Sequence, residues 1–226
     1  MKLLGMIGGT SWHSTVDYYR WINELVGKEI GESQNPPLLL YSINIQLMRE
    51  QNKEKIQAAY LEISQKLQTA GAEAIIICAN TPHMIYEYVQ PKINIPILHI
   101  AEAVGRSAKS QGLKKLGLLG NRPTMTLGFI PEYLKTHYQI ETITPNKNDF
   151  GEIHRYISED LTQGKFTEEA KKFFIHQMLL LEAQGAEGII LGCTELPMLL
   201  SQKDFLLPLL ETSLLHAHLA ADFILS

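Results

Sequence analysis

Cysteine is scarce in this chain, which has Cys78 and Cys193 as its two thiols among 226 residues. So few thiols exclude a disulfide framework and favour a reducing compartment. We therefore expect a cytoplasmic protein whose cysteines are free, buried or catalytic.

An excess of positive charge is also missing, because the chain has 20 Lys and Arg residues against 24 Asp and Glu residues, with a formal net charge of −4. This balance excludes the basic surface that is typical of nucleic-acid binding.

Long apolar runs are absent as well. No stretch reaches the ~18 apolar residues that a membrane span requires, so we expect no membrane partner. The first residues are basic and then apolar, but the run breaks at Gly8-Gly9, which indicates a strand rather than a signal peptide. Neither the cysteine and histidine spacing of a zinc site nor the G-x-G-x-x-G of a dinucleotide site occurs. We therefore predict neither a metal site nor a dinucleotide cofactor.

What the sequence does contain is an alternation of short apolar runs and longer amphipathic segments. The runs predict strands within 2–9, 37–44, 73–78, 93–100, 113–120 and 187–193. The longer segments predict helices over 14–30, 53–71, 124–137, 168–185 and 212–225, with Ser14 and Thr167 as N-terminal caps. This order predicts an α/β fold with a mostly parallel sheet, whose active site lies at the carboxyl ends of the strands.

The chain also repeats itself about half a chain apart. The stretch "GAEAIIICANTPHM" (71–84) matches "GAEGIILGCTELPM" (185–198), and "KLLGMIGG" (2–9) matches "KKLGLLGN" (114–121). We therefore predict two pseudo-symmetric α/β lobes, 1–112 and 113–226, that face a central cleft. The C-terminal helix is free to pack on the first lobe.

The two thiols do not occupy equivalent positions in this repeat. Without gaps, Cys193 aligns with Ala79, and Cys78 aligns with Gly192. A shift of one residue turns a side chain to the other face of a strand. If Cys193 points towards the cleft, we expect Cys78 to point away from it.

The second copy of the repeat carries a family resemblance. Its "GCTE" (192–195) resembles the second cysteine motif of the aspartate/glutamate racemase superfamily, and Glu195 after Cys-Thr is similar to the aspartate racemase branch. The segments 5–23, 97–103, 114–120 and 211–217 resemble the same branch.

The resemblance implies a homodimeric isomerase that racemises aspartate or glutamate without pyridoxal phosphate. In this family one thiol removes the α-proton and a second thiol returns a proton to the opposite face. Such chemistry needs a thiol at contact distance and donors aimed at the developing enolate. Helix N-termini can lower thiol pKa values towards neutrality. Cys193 would be one acid/base.

The first half departs from the family pattern, because Ala79 stands where the cysteine before Asn-Thr belongs. Cys78 either ends the strand "IIIC" as a small buried hydrophobe or swings inward through a bulge. Thr81, His83 or a water molecule are the other possibilities for this face.

Substrate-binding candidates come from the loops and from the resemblance. The loops after the strands contribute Gly9, Thr10, Asn80, Thr81 and Thr194, and a glycine turn before a helix suits a carboxylate. The resemblance adds Arg49 and Lys165 for a side-chain carboxylate and His216 near the cleft. Glu195 either orients a ligand amine or caps the local helix. Two rival functions remain open: a single-thiol relative of the decarboxylase type, and a paralogue that binds an acidic ligand without turnover.

Overall fold

A computed structural model describes all residues, 1–226, and the chain forms two compact units. Unit 1 comprises Met1–Ile100 and His216–Ser226, and unit 2 comprises Ala101–Leu215. The predicted division at residue 112 stays a prediction about domains. The end of the C-terminal helix belongs to unit 1.

Each unit contains a four-stranded parallel sheet, so the predicted α/β fold is confirmed. The strands of unit 1 are β1 (Leu4–Gly8), β2 (Leu38–Ser42), β3 (Ala74–Ile77) and β4 (Ile97–Leu98), in the order β2-β1-β3-β4. The strands of unit 2 are β5 (Lys115–Leu119), β6 (Glu141–Ile143), β7 (Gly188–Leu191) and β8 (Leu209–Glu211), in the order β6-β5-β7-β8. The two orders are the same, as expected of a duplicated unit.

The central strands are buried along their whole length. β3 (AIII) and β7 (GIIL) expose almost no surface, because both lie inside a parallel sheet that helices cover. Their pairing is also equivalent: Ile7 pairs with Ile77 in unit 1, and Leu119 pairs with Leu191 in unit 2. The carboxyl ends of β1 and β3, and of β5 and β7, therefore lie side by side.

Eleven α-helices connect and flank the strands. Those before β5 are α1 (Trp12–Ile30), α2 (Gln46–Arg49), α3 (Lys53–Thr69), α4 (Tyr86–Val89) and α5 (Ile100–Ser110). Those after β5 are α6 (Arg122–Thr126), α7 (Phe129–Tyr138), α8 (Phe150–Arg155), α9 (Glu168–Ala183), α10 (Leu196–Leu199) and α11 (Thr212–Leu225). None of these helices combines the length and the apolar composition of a membrane span.

The helix caps agree with the sequence in one case and differ in another. Thr167 caps α9 as predicted, because its side chain accepts the Ala170 N–H. The cap predicted at Ser14 was wrong: α1 begins earlier, and the Ser11 hydroxyl accepts the Ser14 N–H at 3.3 Å. Ser14 is instead buried within the first turn of the helix.

The single helix predicted over 124–137 was also wrong. Two helices, α6 and α7, occupy this region, and Gly128 separates them with a φ of +78°. A left-handed residue cannot continue an α-helix, and glycine adopts this conformation at little cost.

Candidate active site

The ends of β3 and β7 have the same backbone geometry. The Cys78 N–H donates to the Ile7 carbonyl at 2.9 Å, and the Gly192 N–H donates to the Leu119 carbonyl at 2.6 Å. Both bonds extend the pairing of a central strand by one residue. Cys78 and Gly192 are therefore structural equivalents, and so are Ala79 and Cys193. The last two are also equally accessible, with 8% of each residue exposed.

Cys193 lies at the end of β7 in contact with a carboxylate. Its Sγ donates to Oε2 of Glu195 at 2.9 Å, and the Thr194 hydroxyl donates to the same oxygen at 2.7 Å. Burial raises the pKa of the Cys193 thiol well above its ordinary value, and the Glu195 carboxylate raises it further. The resting thiol therefore carries its proton and has a negative acceptor beside it.

The expected lowering of this thiol pKa by a helix N-terminus is outweighed. The backbone N–H groups of Glu195 and Leu196 do lower the pKa of Cys193, but by less than burial and the carboxylate raise it. The helix that follows, α10, has four residues and contributes little dipole.

Cys78 has a different environment from Cys193. It is 1% exposed, and its carbonyl accepts the Ser14 hydroxyl at 3.0 Å. Burial raises the pKa of its thiol, and no neighbouring donor or cation lowers it. In unit 2 a Cβ at the equivalent Gly192 would lie 2.9 Å from the Leu119 carbonyl oxygen, so that position has no room for a side chain.

The loop from β1 to α1 contains Gly9 and Thr10. Gly9 has a φ of +93°, and a Cβ there would overlap the backbone of Ile43. Its N–H donates to the Thr15 hydroxyl at 3.0 Å. The Thr10 hydroxyl lies 3.3 Å from the Tyr60 hydroxyl, which is buried. These contacts fix the loop in one conformation.

Asn80 and Thr81 follow β3 in the same unit. Asn80 is buried, and Thr81 begins a 3₁₀ turn, Thr81–Ile85. Because β1 and β3 are neighbouring parallel strands, this segment and the Gly9-Thr10 loop share one edge of the sheet. The structure thus groups four predicted binding residues in unit 1.

The two predicted cationic residues, Arg49 and Lys165, lie on the surface. Arg49 ends α2 in unit 1, and Lys165 follows the left-handed Gly164 in unit 2. The Lys165 N–H donates to the Asp160 carbonyl at 2.9 Å. Neither side chain belongs to any ion pair of the chain, so both charges are free for a ligand.

His216 is buried, and both of its ring nitrogens have partners. Nε2 lies 2.7 Å from the Leu98 carbonyl, and Nδ1 lies 3.0 Å from the Tyr18 hydroxyl. A carbonyl only accepts, so Nε2 carries the proton and Nδ1 accepts from Tyr18. Burial lowers the pKa of His216 well below its ordinary value. This geometry leaves neither ring nitrogen without a protein partner.

The sequence did not predict the buried residues that hydrogen-bond to the candidate site residues. Tyr60 holds Thr10, Ser14 holds the Cys78 carbonyl, and Tyr18 holds His216. All three lie on buried helix faces, where periodicity signals burial but not the partner of a hydroxyl group.

Neither a metal cluster nor a groove adds to the candidate residues. No three His, Cys, Asp or Glu side chains are grouped so that they could hold a metal ion. A surface groove of about 330 Å³ in unit 2 is lined by α9 and residues 202–206, none of which is a candidate residue.

Comparison with known proteins adds a family to this geometry. The profile of the family described as Asp/Glu/Hydantoin racemase matches residues 7–220. The chain is 24% identical over 217 residues to the broad specificity amino-acid racemase RacX of Bacillus subtilis (strain 168), with 93% of each chain covered.

Two crystal structures are similar over 100% of both chains. One is a protein from Yersinia pestis described provisionally as an Asp/Glu racemase, at 39% identity and a TM-score of 0.94. The other is an aspartate racemase homologue from Pyrococcus horikoshii OT3, at 31% identity and a TM-score of 0.88. The chain therefore belongs to the Asp/Glu/Hydantoin racemase family, and because racemases are isomerases it is an isomerase.

Proposed function

We propose that this racemase inverts the Cα of an acidic amino acid, aspartate or glutamate, without a cofactor, and that Cys193 is the acid/base on one face. The observation that carries the proposal is the contact of the Cys193 thiol with the Glu195 carboxylate, 2.9 Å away, at the end of a central strand. The similarity to a broad specificity amino-acid racemase and to an aspartate racemase homologue supports the reaction class.

The protonation state of Cys193 defines its part in one direction of the reaction. A base removes the Cα proton, and the electron pair of the broken bond moves into the substrate carboxylate. The Cys193 S–H bond then breaks as its proton forms a new bond to Cα on the opposite face, which leaves a thiolate. In the reverse direction this thiolate is the base, and the substrate ammonium group offsets the charge of Glu195 beside it.

Substrate recognition is assigned to the polar loops and the free cations. The loops that contain Gly9, Thr10, Asn80, Thr81 and Thr194 are assigned to the α-carboxylate, where the Gly9 N–H and the Thr194 hydroxyl would give up their bonds to Thr15 and Glu195 for the substrate. Glu195 offers an acceptor for the amine. His216 acts through the packing of unit 1. Arg49 and Lys165 provide the charge that would select an acidic side chain.

The acid/base on the other face stays unassigned. The burial of Cys78 and the absence of any group that lowers its pKa support a packing role. Thr81 keeps a hydroxyl in the adjacent turn, but a threonine hydroxyl is a weak base.

A second candidate function follows from Ala79, the equivalent of Cys193 with no acid/base of its own. An enzyme with one thiol would deliver a proton to one face only, as a decarboxylase-type relative does. If the missing acid/base at Ala79 prevents catalysis altogether, the protein would bind an acidic ligand without turnover.

Solvent exchange separates these functions. The protein is incubated with L-aspartate and, separately, L-glutamate in D₂O, while α-deuteration is followed by NMR and configuration by chiral chromatography. We expect deuteration together with loss of configuration. Exchange with retained configuration would support the one-faced catalyst, and ligand binding without exchange would support the binding role.

The homodimer and the cytoplasmic location stay predictions. Sedimentation velocity tests the first, with a species of twice the 25.5 kDa chain mass expected. Fractionation of the source cells tests the second.

A further inference from the structure

His83 lies in the 3₁₀ turn after β3 and is fully buried. Its Nδ1 is 2.9 Å from the Ala79 carbonyl and 3.1 Å from the Asn80 carbonyl. Both partners can only accept a hydrogen bond, so Nδ1 carries the proton. Nε2 is then bare in the neutral ring. No hydrogen bond of acceptable geometry reaches Nε2, although the Leu98 carbonyl lies nearby.

The surroundings keep the His83 ring neutral and in place. The rings of His99 and His216 lie 4.9 Å and 5.3 Å from it, in edge-on contacts. Burial lowers the pKa of His83 to about 4 despite the backbone carbonyls that favour its charged form. His83 is thus a neutral donor at pH 7, and His216 beside it has the opposite tautomer.

The contacts of His83 converge on the segment that follows β3. The Asn80 carbonyl accepts from both the N–H and the ring of His83. In unit 2 the repeat places Pro197 at the equivalent position, which has no donor. There the Glu195 carboxylate holds Thr194 and Cys193 instead.

We propose that His83 is a positioning residue: its Nδ1–H holds the Ala79 and Asn80 carbonyls and so fixes the backbone of Ala79–Thr81 for substrate. The proposal rests on the proposed function, in which Asn80 and Thr81 contact the substrate. It excludes His83 as the missing acid/base, because its donor nitrogen is engaged and its ring is not exposed.

The first test does not depend on activity. Long-range ¹H–¹⁵N correlation spectra of uniformly ¹⁵N-labelled protein at pH 7 report the tautomer of each neutral histidine. The His83 signals are identified by their loss in His83→Asn. We expect the Nδ1–H tautomer for His83, and an Nε2–H tautomer or an imidazolium would overturn the proposal.

The second test uses two amides that place a donor differently. The amide nitrogen of asparagine superimposes on Nδ1 of histidine, and that of glutamine superimposes on Nε2. We expect His83→Asn to keep kcat/KM within about threefold of the parent. His83→Gln should raise KM about tenfold with a smaller change in kcat, because uniform substrate binding is lost.

Melting temperatures serve as the control for folding. Equal kinetic losses in the two variants, at equal melting temperatures, would overturn the proposal. Should His83→Gln not fold, the tautomer and the kinetics of His83→Asn decide. A parent protein that shows no exchange in D₂O contradicts the proposed function, while the tautomer measurement still tests the anchoring.

Discussion

The ends of β3 and β7 differ in their side chains although their backbones are equivalent. Ala79 and Cys193 extend from matched positions with the same exposure, yet only one of them has a thiol. The first half does contain a thiol, one residue earlier, but the strand places Cys78 in the core. The duplicated backbone thus places the two side chains at equivalent positions, and the residue type at each position decides whether a thiol is present.

The two strand ends are also held differently. In unit 1 a buried neutral histidine donates to backbone carbonyls, and in unit 2 a carboxylate accepts from a thiol and a hydroxyl. The first arrangement fixes backbone only. The second also adds to the effect of burial in raising the pKa of the reactive thiol, which is consistent with acid/base chemistry in unit 2.

The largest expected effect is that of Cys193→Ala. Loss of the acid/base on one face should lower kcat/KM for racemisation by about 10³-fold, within the range of general acid–base contributions. Racemisation is measured by circular dichroism with aspartate and glutamate, and the melting temperature controls for folding. A folded Cys193→Ala with parental activity would remove the chemical difference between the two strand ends.

The next effect concerns Gly9, whose counterpart Asn121 caps α6 with an ordinary φ of −63°. We expect Gly9→Ala to lower the free energy of unfolding by about 3 kcal/mol, because backbone strain adds to overlap with Ile43. Gly112→Ala is the control, since its φ is +72° but no atom lies within 4 Å of the added Cβ. It should cost about 1 kcal/mol.

Urea denaturation of both variants gives these values. Equal losses of unfolding free energy in the two variants would show that the close approach of Gly9 to the Ile43 backbone has no effect on stability.

A third effect is the acid sensitivity of unit 1, which alone has buried histidines. Below about pH 6.5 the unfolded chain protonates His83 and His216, while the folded rings stay neutral. Unfolding therefore takes up protons, and the free energy of unfolding falls as pH decreases towards 4. Each ring contributes a slope of about 1.4 kcal/mol per pH unit.

Replacement of His83 tests this slope. Between pH 6 and pH 5, His83→Asn should show a dependence weaker by about 1.4 kcal/mol per pH unit. The exposed His137 of unit 2 gives the matched control, and His137→Asn should keep the parental slope. Parallel curves for all three proteins would contradict the neutral state of His83.

The smallest expected effect sharpens the role of Glu195. Because its carboxylate raises the pKa of Cys193, Glu195→Gln should lower that pKa while an acceptor for the thiol is kept. The rate of alkylation by iodoacetamide, followed against pH, reports the thiolate, and Cys78→Ala in the background leaves Cys193 as the one thiol. A midpoint at higher pH than in the parent would be inconsistent with the charge effect.

Much of the fold was predictable from the sequence. The apolar runs of β3 and β7 and the repeat around them correctly predicted two units, each with a parallel sheet. The helix α5 and the strands β6 and β8 were missed. Strands of three residues have too few positions to show a period.

The different placement of the two thiols could be predicted from the sequence, but their contacts could not. The alignment of Cys78 with Gly192 already indicated that the two thiols differ, because it depends on register alone. The carboxylate on Cys193 and the carbonyls on His83 depend on side-chain rotamers and on chain segments that fold together. The raised thiol pKa follows from burial, which overrode the helix N-terminus that sequence reasoning emphasised.

The claim that Cys193 is the one thiol that takes part in the reaction is tested most directly by Cys78→Ala. The variant is assayed for aspartate and glutamate racemisation and for α-deuteration in D₂O. The account predicts kcat/KM within about twofold of the parent for a packed thiol whose removal leaves a small cavity. A folded Cys78→Ala that neither racemises nor exchanges either substrate would contradict it, because the strand end of unit 1 would then supply a working sulfur.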